Sequence, residues 1–174
     1  AIIVTSDHGD AMGEHNMQWH GAELWEPLVH VPLVIYVPGA TPHRVKQKRS
    51  LIDMAPTILA LEKVELPGPK ELSGESLLPD LLAKDASTIV ERDVYIDMPE
   101  GPNNQTRRAF IHGDSPGLKL IHFGGAYFQL YDLATDAEEK KDLAKDKSIA
   151  GPVIEAFQQF RARVSEIAVP RPSE

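Results

Sequence analysis

Two apolar runs frame the first part of the chain. Residues 1–6 form an apolar run that ends in Thr5-Ser6, and residues 31–37 form another that stops at Pro38-Gly39. Continuous apolar runs of strand length are typical of strands that are buried on both faces of a parallel sheet. The stretch between the two runs is long enough for a crossover, whereas a hairpin connection would be shorter. We therefore predict an α/β sheet, with a short helical turn at residues 24–29.

The pattern changes near Asp93, where short alternating segments begin, separated by Gly and Pro turns. These segments read DVYIDM, RRAFIHG, LKLIHFGG and AYFQLYDL. Their spacing predicts an antiparallel sheet of three or four strands. Further on, apolar residues recur at four- and three-residue intervals and predict an amphipathic helix that packs on this sheet and opens at Gly151-Pro152. The apolar positions of that helix are Val153, Phe157, Phe160, Val164 and Ile167.

The middle of the chain is less regular. Residues 43–49 are rich in Lys and Arg and are predicted to form a solvated edge. Asp53 is predicted to cap a helix, because Pro56 falls within its first turn, where the missing N–H costs nothing. Residues 64–92 are rich in Pro, Gly and Ser, and are predicted to form a surface connection with one or two helical turns.

The predicted fold class is α/β. It comprises part of a doubly wound mixed sheet, followed by a small C-terminal antiparallel sheet packed on a terminal helix. We place the domain boundary after residue 92, so that residues 1–92 belong to the α/β unit and residues 93–174 to the smaller sheet-plus-helix unit. The chain has no initiator Met and opens within a strand, so we expect it to be the carboxyl-terminal part of a longer protein.

Composition narrows the classes of function. A length of 174 residues suggests one domain, or one with a small appendage. The net charge of −8 argues against nucleic acid as a partner, because phosphates would be repelled. No apolar stretch approaches the ~20 residues that span a bilayer, so no membrane span is expected. Cysteine is absent from the sequence, which excludes disulfides, thiolate zinc sites and a Cys nucleophile within these residues.

Candidate chemistry follows the first apolar run directly. Ligands of open α/β sheets bind beyond the carboxyl ends of the strands, where Asp7 and His8 fall. Adjacent side chains alternate along a strand, so both can reach one ion only where the chain leaves it, and Gly9 supplies the backbone freedom for that turn. The pair is a candidate metal site, and an imidazole ligand favours Zn²⁺ or Mn²⁺ over a cation that prefers only oxygen. Three nearby residues are expected to make local hydrogen bonds or to lie on the surface: Glu14, His15 and His30.

Several ordered motifs resemble those of the sulfatase family of the alkaline-phosphatase superfamily. In chain order they are SDHG, GEH, HG, WE and VPL, then LIDMAPTILAL, LSGESLLPDL and QLYDLATDAEEKKDLAKD. The resemblance spans nearly the whole chain, with Asp142 where Asn is usual. Trp25 stands where Tyr is usual and Asp10 where Glu often occurs, and neither is expected to touch the proposed chemistry.

The resemblance implies particular roles. Asp7 and His8 match the family's second pair of ligands to a divalent cation, and the first pair belongs to an upstream strand. The cation implied is mostly Ca²⁺, with Mn²⁺ or Zn²⁺ in phosphonate-cleaving relatives, which differs from the preference of the imidazole alone. His20 matches the catalytic position whose Lys or His binds the sulfate oxygens and assists the leaving group, where negative charge develops.

The resemblance also implies a nucleophile that this sequence lacks. The family makes a formylglycine from a Cys/Ser-x-Pro/Ala-x-Arg motif, which is absent here and is expected upstream. We therefore expect a fragment of a sulfatase that hydrolyses sulfate esters of small molecules or glycans, that needs the N-terminal part of the same protein and is inactive alone. The alternatives are a phosphonate or phosphodiester hydrolase, a phosphoethanolamine transferase, or a non-catalytic packing domain. By resemblance, the expected location is periplasmic or secreted.

Overall fold

The computed structural model describes residues 1–65, 72–102 and 104–164. The strands are β1 Ile2–Thr5, β2 Ala11–Met12, β3 Gln18–Trp19, β4 Leu33–Tyr36, β5 Val94–Met98, β6 Arg107–His112, β7 Leu118–His122 and β8 Phe128–Asp132. The α-helices are α1 Glu26–Val29, α2 Met54–Leu61, α3 Leu78–Leu81 and α4 Lys147–Arg161. Short 3₁₀ turns occupy Glu14–Asn16, Leu51–Asp53 and Ala86–Thr88. None of the helices in these ranges has the length and apolarity needed to cross a membrane.

Strands β1 and β4 pair, but they run antiparallel, with Ile2 opposite Tyr36 and Thr5 opposite Leu33. The prediction of a parallel pair joined by a crossover is therefore wrong. An apolar run carries no information on the direction of a strand. Here the β2–β3 hairpin and α1 connect β1 to β4 and reverse the direction of the chain. Burial on both faces does not hold within the described residues either, since Ile2, Val4 and Tyr36 are all more than half exposed.

The predicted antiparallel sheet, hereafter the second sheet, is confirmed, with strand order β5-β6-β7-β8. Alternation along the strands sends Phe110, Leu120 and Leu130 to one face, where they form a core with Val153 and Phe157 of α4. The predicted helix therefore packs on this sheet as expected.

The opposite face of the same sheet is also covered. Ala109, Ile121 and Tyr131 point to this side and form a second core with Leu24, which lies two residues before the start of α1. The sheet is consequently the middle layer between α4 and the segment that leads into α1. This second contact fixes the position of the first forty residues, where the candidate chemistry lies.

Helix α4 begins earlier than predicted. Asp146 is its N-cap and accepts a hydrogen bond from the backbone N–H of Ser148, so the helix starts at Lys147, and Pro152 lies inside it. The prediction that Gly151-Pro152 open the helix is wrong, because an Asp cap outweighs the proline as a start signal. Val164 lies beyond the helix end, and Ile167 lies outside the described residues.

Two of the basic residues in segment 43–49 form ion pairs with distant acidic residues. Arg49 pairs with Asp80 at 2.6 Å, and Lys48 lies 3.6 Å from Glu91, so the prediction of a solvated edge is wrong for these two cations. Their partners are distant in sequence, and local composition could not reveal them. The domain boundary after residue 92 remains a prediction.

Asp53 occupies the N-cap position of α2, as predicted, but its side chain makes no cap hydrogen bond to that helix. It is instead the N3 residue of a capping box that begins at Ser50, and its carboxylate accepts the backbone N–H of Ser50 at 3.2 Å. Its buried carboxylate also accepts the backbone N–H of Glu75 at 2.9 Å and pairs with Arg92 at 3.0 Å. One cap residue therefore ties α2 to the connection that follows it.

Candidate active site

Asp7 and His8 lie in the turn that directly follows β1. Asp7 Oδ1 accepts the backbone N–H of His8 at 3.0 Å, and Asp7 Oδ2 lies 3.8 Å from His8 Nε2. Both side chains therefore turn toward the same side of the loop. Two ligand atoms at this separation can reach one cation, since Ca²⁺–oxygen distances are about 2.3–2.6 Å and zinc–imidazole distances are shorter.

The loop that carries this pair is packed against α1 through Gly9. The backbone N–H of Gly9 donates to the carbonyl oxygen of Leu28 at 2.9 Å. A Cβ atom at Gly9 would lie 2.1 Å from the carbonyl oxygen of Pro27, well inside van der Waals contact. Glycine is therefore needed for close approach of two backbones, and not for the conformational freedom that the sequence suggested.

We expect Gly9→Ala to lower the free energy of unfolding by about 1–3 kcal/mol, the usual range for overpacking, because backbone atoms cannot yield to the new methyl group. Gly151→Ala is the matched control: no atom lies within 4 Å of its Cβ position, and it is in α4, where alanine stabilises by up to about 1 kcal/mol. Urea denaturation of both variants measures this. Equal stability of the two variants would contradict the close approach.

A small hairpin brings two further residues together. In it, β2 pairs with β3, with Ala11 opposite Trp19, and Gly13 N–H donates to the carbonyl oxygen of Met17 at 2.9 Å. The turn uses positive φ angles at Gly13 and His15. Asp10 and His20 flank the paired residues and so lie side by side at the open end of the hairpin.

Asp10 is part of the site, although the sequence reading left it outside. Its Oδ1 lies 2.6 Å from Nδ1 of His20, which makes an ion pair or a short charge-assisted hydrogen bond. A carboxylate accepts and cannot donate when ionised, so Nδ1 of His20 carries a proton and Nε2 is the other ring nitrogen available to a substrate. No local sequence signal revealed this pair, because only the hairpin register brings the two residues together.

His8 and His20 meet across the site. Their ring centroids are 4.2 Å apart and the rings are stacked. His8, Asp10 and His20 each offer a ligand atom, and the three atoms lie within 4.8 Å of one another. This donor set of two imidazoles and one carboxylate, with Asp7 beside it, fits a divalent cation. It is nearer to the preference of Zn²⁺ or Mn²⁺ than to that of Ca²⁺, which takes 6–8 oxygen ligands.

An open cavity of about 420 Å³ adjoins His20. It is lined by the hairpin, and two of its lining residues are large and exposed: Met12 at 86% and Trp19 at 75%. Trp19 also has φ 80, which is unusual for an aromatic residue and is the kind of backbone strain that concentrates at ligand sites. The site thus combines charged groups with an apolar wall.

Three further polar residues of this region, Glu14, His15 and His30, lie outside the cluster. Glu14 accepts the backbone N–H of Met12 at 2.6 Å, and hydrogen bonds from its own backbone N–H and that of Met12 lower its pKa. His30 is exposed and lies 3.0 Å from Glu26, whose hydrogen bond raises the pKa of the imidazole. His15 stacks on Trp25 at 4.0 Å and faces the second sheet.

Comparison with known proteins shows the family. Residues 1–64 match the model of the Sulfatase family. "Uncharacterized sulfatase YidJ" of Escherichia coli K12 is 38% identical over 146 residues, which cover 83% of this chain and 28% of that protein. Arylsulfatase K of Gallus gallus is 39% identical over 157 residues, covering 82% of this chain and 27% of that protein.

Solved structures share the fold. The phosphonate monoester hydrolase of Agrobacterium radiobacter superposes with a TM-score of 0.72 at 25% identity, covering 92% of this chain and 34% of that chain. A protein solved in complex with its substrate, D-glucosamine-2-N,6-O-disulfate, gives a TM-score of 0.67 at 25% identity, over 92% of this chain and 34% of that one.

The chain belongs to the sulfatase family of the alkaline-phosphatase superfamily. It spans less than a third of the length of the two curated relatives named above.

Proposed function

We propose that this chain forms part of a hydrolase of sulfate esters and supplies the leaving-group side of its active site. The observation that carries the proposal is the His20–Asp10 pair, 2.6 Å apart beside an open cavity, in a chain of the sulfatase family. The Asp7–His8 pair supports it from the other side of the same cluster. Substrates are sulfated small molecules or glycans.

His20 acts as the general acid in this proposal. Departure of the alcohol leaves negative charge on the ester oxygen, and a proton or a positive charge there lowers the barrier. Asp10 holds the imidazole through Nδ1 and fixes its orientation, so that Nε2 is directed at the leaving oxygen. The exposed faces of Trp19 and Met12 would contact the apolar surface of the departing alcohol.

A divalent cation would be held by Asp7 and His8, with further ligands from outside this sequence. When bound, it would neutralise the charge on the sulfate oxygens. By resemblance the cation is Ca²⁺, whereas the imidazole ligand His8 favours Mn²⁺ or Zn²⁺. The nucleophile, a formylglycine by resemblance, would also come from outside these residues, because the sequence contains no Cys/Ser-x-Pro/Ala-x-Arg motif.

Hydrolysis of phosphonate monoesters is the second candidate. It is favoured by one observation, the TM-score of 0.72 to a phosphonate monoester hydrolase. The same cluster would serve this reaction, because a phosphonate ester also places negative charge on a departing oxygen.

The test compares two proteins. One is the chain of residues 1–174, and the other is the same chain together with whatever its gene encodes upstream. With 4-nitrophenyl sulfate and 4-nitrophenyl phenylphosphonate as substrates, we expect turnover only by the longer protein and faster turnover of the sulfate. Faster turnover of the phosphonate would favour the second candidate. Turnover of neither substrate would favour a non-catalytic packing domain. Activity of residues 1–174 alone that is lost in His20→Ala would overturn the proposal that this chain supplies only part of the active site.

A further inference from the structure

A buried lysine lies behind the candidate site. Lys119 is in β7, the second strand from one edge of the sheet, and its side chain is fully buried. Its Nζ atom lies 2.8 Å from Oε1 of Glu26 and 2.8 Å from Oε1 of Glu139. Glu139 is itself fully buried, and Glu26 is mostly so. Buried charges occur in proteins when they are paired, and here one ammonium holds two carboxylates from distant parts of the chain.

The first connection from this cluster leads to the Asp7–His8 loop. Oε2 of Glu139 accepts the backbone N–H of Glu26 at 2.6 Å, so the first residue of α1 is held by both its side chain and its backbone. Two residues further along α1, the carbonyl oxygen of Leu28 accepts the N–H of Gly9 at 2.9 Å. Gly9 directly follows His8.

The second connection leads to the β2–β3 hairpin. Nε2 of His15, in the turn of the hairpin, lies 3.9 Å from Oε2 of Glu139, and its ring stacks on Trp25 with an interplanar angle of 9°. The hairpin is therefore held at its turn, while its open end carries Asp10 and His20.

We propose that Lys119, Glu26 and Glu139, hereafter the buried charge cluster, are positioning residues that hold both halves of the candidate site from the second sheet. None of them reaches the site itself. They fix the Asp7–His8 loop through α1 and Gly9, and the His20–Asp10 pair through His15 and the hairpin. Their importance for catalysis rests on the proposed function, but the positioning itself does not.

Amide hydrogen exchange on residues 1–174 tests the proposal without any assay of activity. Glu139→Gln removes the charge and keeps the shape, and Glu138→Gln is the matched control, because Glu138 is the adjacent residue and its side chain is 71% exposed. The reporters are the amides of Gly9 and Gly13. The amides of Phe110 and Leu120, in the core of the second sheet, report global opening.

We expect Glu139→Gln to accelerate exchange at both reporters by at least about tenfold, with little change at Phe110 and Leu120. The NH2 group of the new Gln must face one of two donors, the Lys119 ammonium or the backbone N–H of Glu26, so one of the two contacts is lost in either orientation. Unchanged reporters, or equal acceleration at all four amides, would overturn the proposal, as would the same result in Glu138→Gln.

His15→Asn separates the two connections and serves if Glu139→Gln does not fold. Asn tolerates the left-handed backbone of this position, φ 53, but lacks the ring that stacks on Trp25. Exchange should accelerate at Gly13 and stay unchanged at Gly9. Unchanged exchange at Gly13 would overturn the hairpin connection and with it the proposal.

Discussion

His20→Ala in the hydrolase that contains this chain is expected to lower kcat by about 10²–10⁴-fold, the range for loss of a positioned general acid. KM should change much less, because the contribution of His20 grows as charge develops on the leaving oxygen. Steady-state kinetics with 4-nitrophenyl sulfate and with an alkyl sulfate measure both constants. The alkyl ester should suffer more, since its alkoxide is the poorer leaving group and needs the proton more.

Two variants keep this result interpretable. Asp10→Asn retains a hydrogen-bond acceptor at Nδ1 of His20 but removes the charge, so a smaller loss of kcat is expected. His43→Ala is the control, because the imidazole of His43 hydrogen-bonds to the backbone carbonyl oxygens of Thr41 and Asp80 and lies outside the site. A loss in His20→Ala that falls equally on the alkyl and the aryl ester would contradict the role as acid.

Local patterns predicted those parts of the fold that local rules control. Alternation and turn residues located all four strands of the second sheet, because side-chain direction along a strand has a period of two. The end of the first apolar run located Asp7 and His8, because the chain leaves β1 there. Strand direction was not predictable from the same run, since apolar residues are equally buried in either direction.

The parts that escaped prediction depend on partners far along the chain. Asp10 reaches His20 only through the register of a two-residue ladder, and Arg49 meets Asp80 across a loop. Lys119 is the clearest case. Between Leu118 and Leu120 it has the spacing of a solvent-facing residue, yet it is buried because the segment before α1 covers that face of the sheet.

Lys119→Met is expected to lower the free energy of unfolding by about 3–5 kcal/mol at pH 7, because it leaves Glu26 and Glu139 buried without their ammonium. Lys140→Met is the matched control: this exposed lysine pairs with the exposed Glu138, and its loss should change stability little. Urea denaturation of residues 1–174 measures both variants. Equal losses in the two would contradict the buried charge cluster.

The pH dependence of the stability lost in Lys119→Met shows whether Lys119 stabilises the fold through its charge or through its packing. Burial tends to raise the pKa of Glu26, but His30 and Lys119 outweigh it and lower that pKa from 4.5 to about 2. A depressed carboxyl pKa means that Glu26 contributes stability above pH 4.5, and that this contribution is lost as the pH falls from 4.5 toward 2. For Glu139 the sign is opposite: burial is the largest effect and raises its pKa despite Lys119, so its contribution is present at low pH and lost as the pH rises.

In Lys119→Met both carboxyls lose the cation that favours ionisation, and each can relieve the buried charge by taking up a proton. The deficit in stability relative to the unmodified chain should therefore shrink between pH 7 and pH 4. The loss of the Glu26 contribution in the unmodified chain, which begins below pH 4.5, acts in the same direction. Denaturant titrations of both proteins at the two pH values measure the deficit in stability. His15 and His30, which lie beside the two carboxyls, are present in both proteins, so their own protonation affects both. A packing defect from the shorter side chain would persist unchanged at pH 4, so a constant deficit would show that Lys119 acts by filling space and not by its charge.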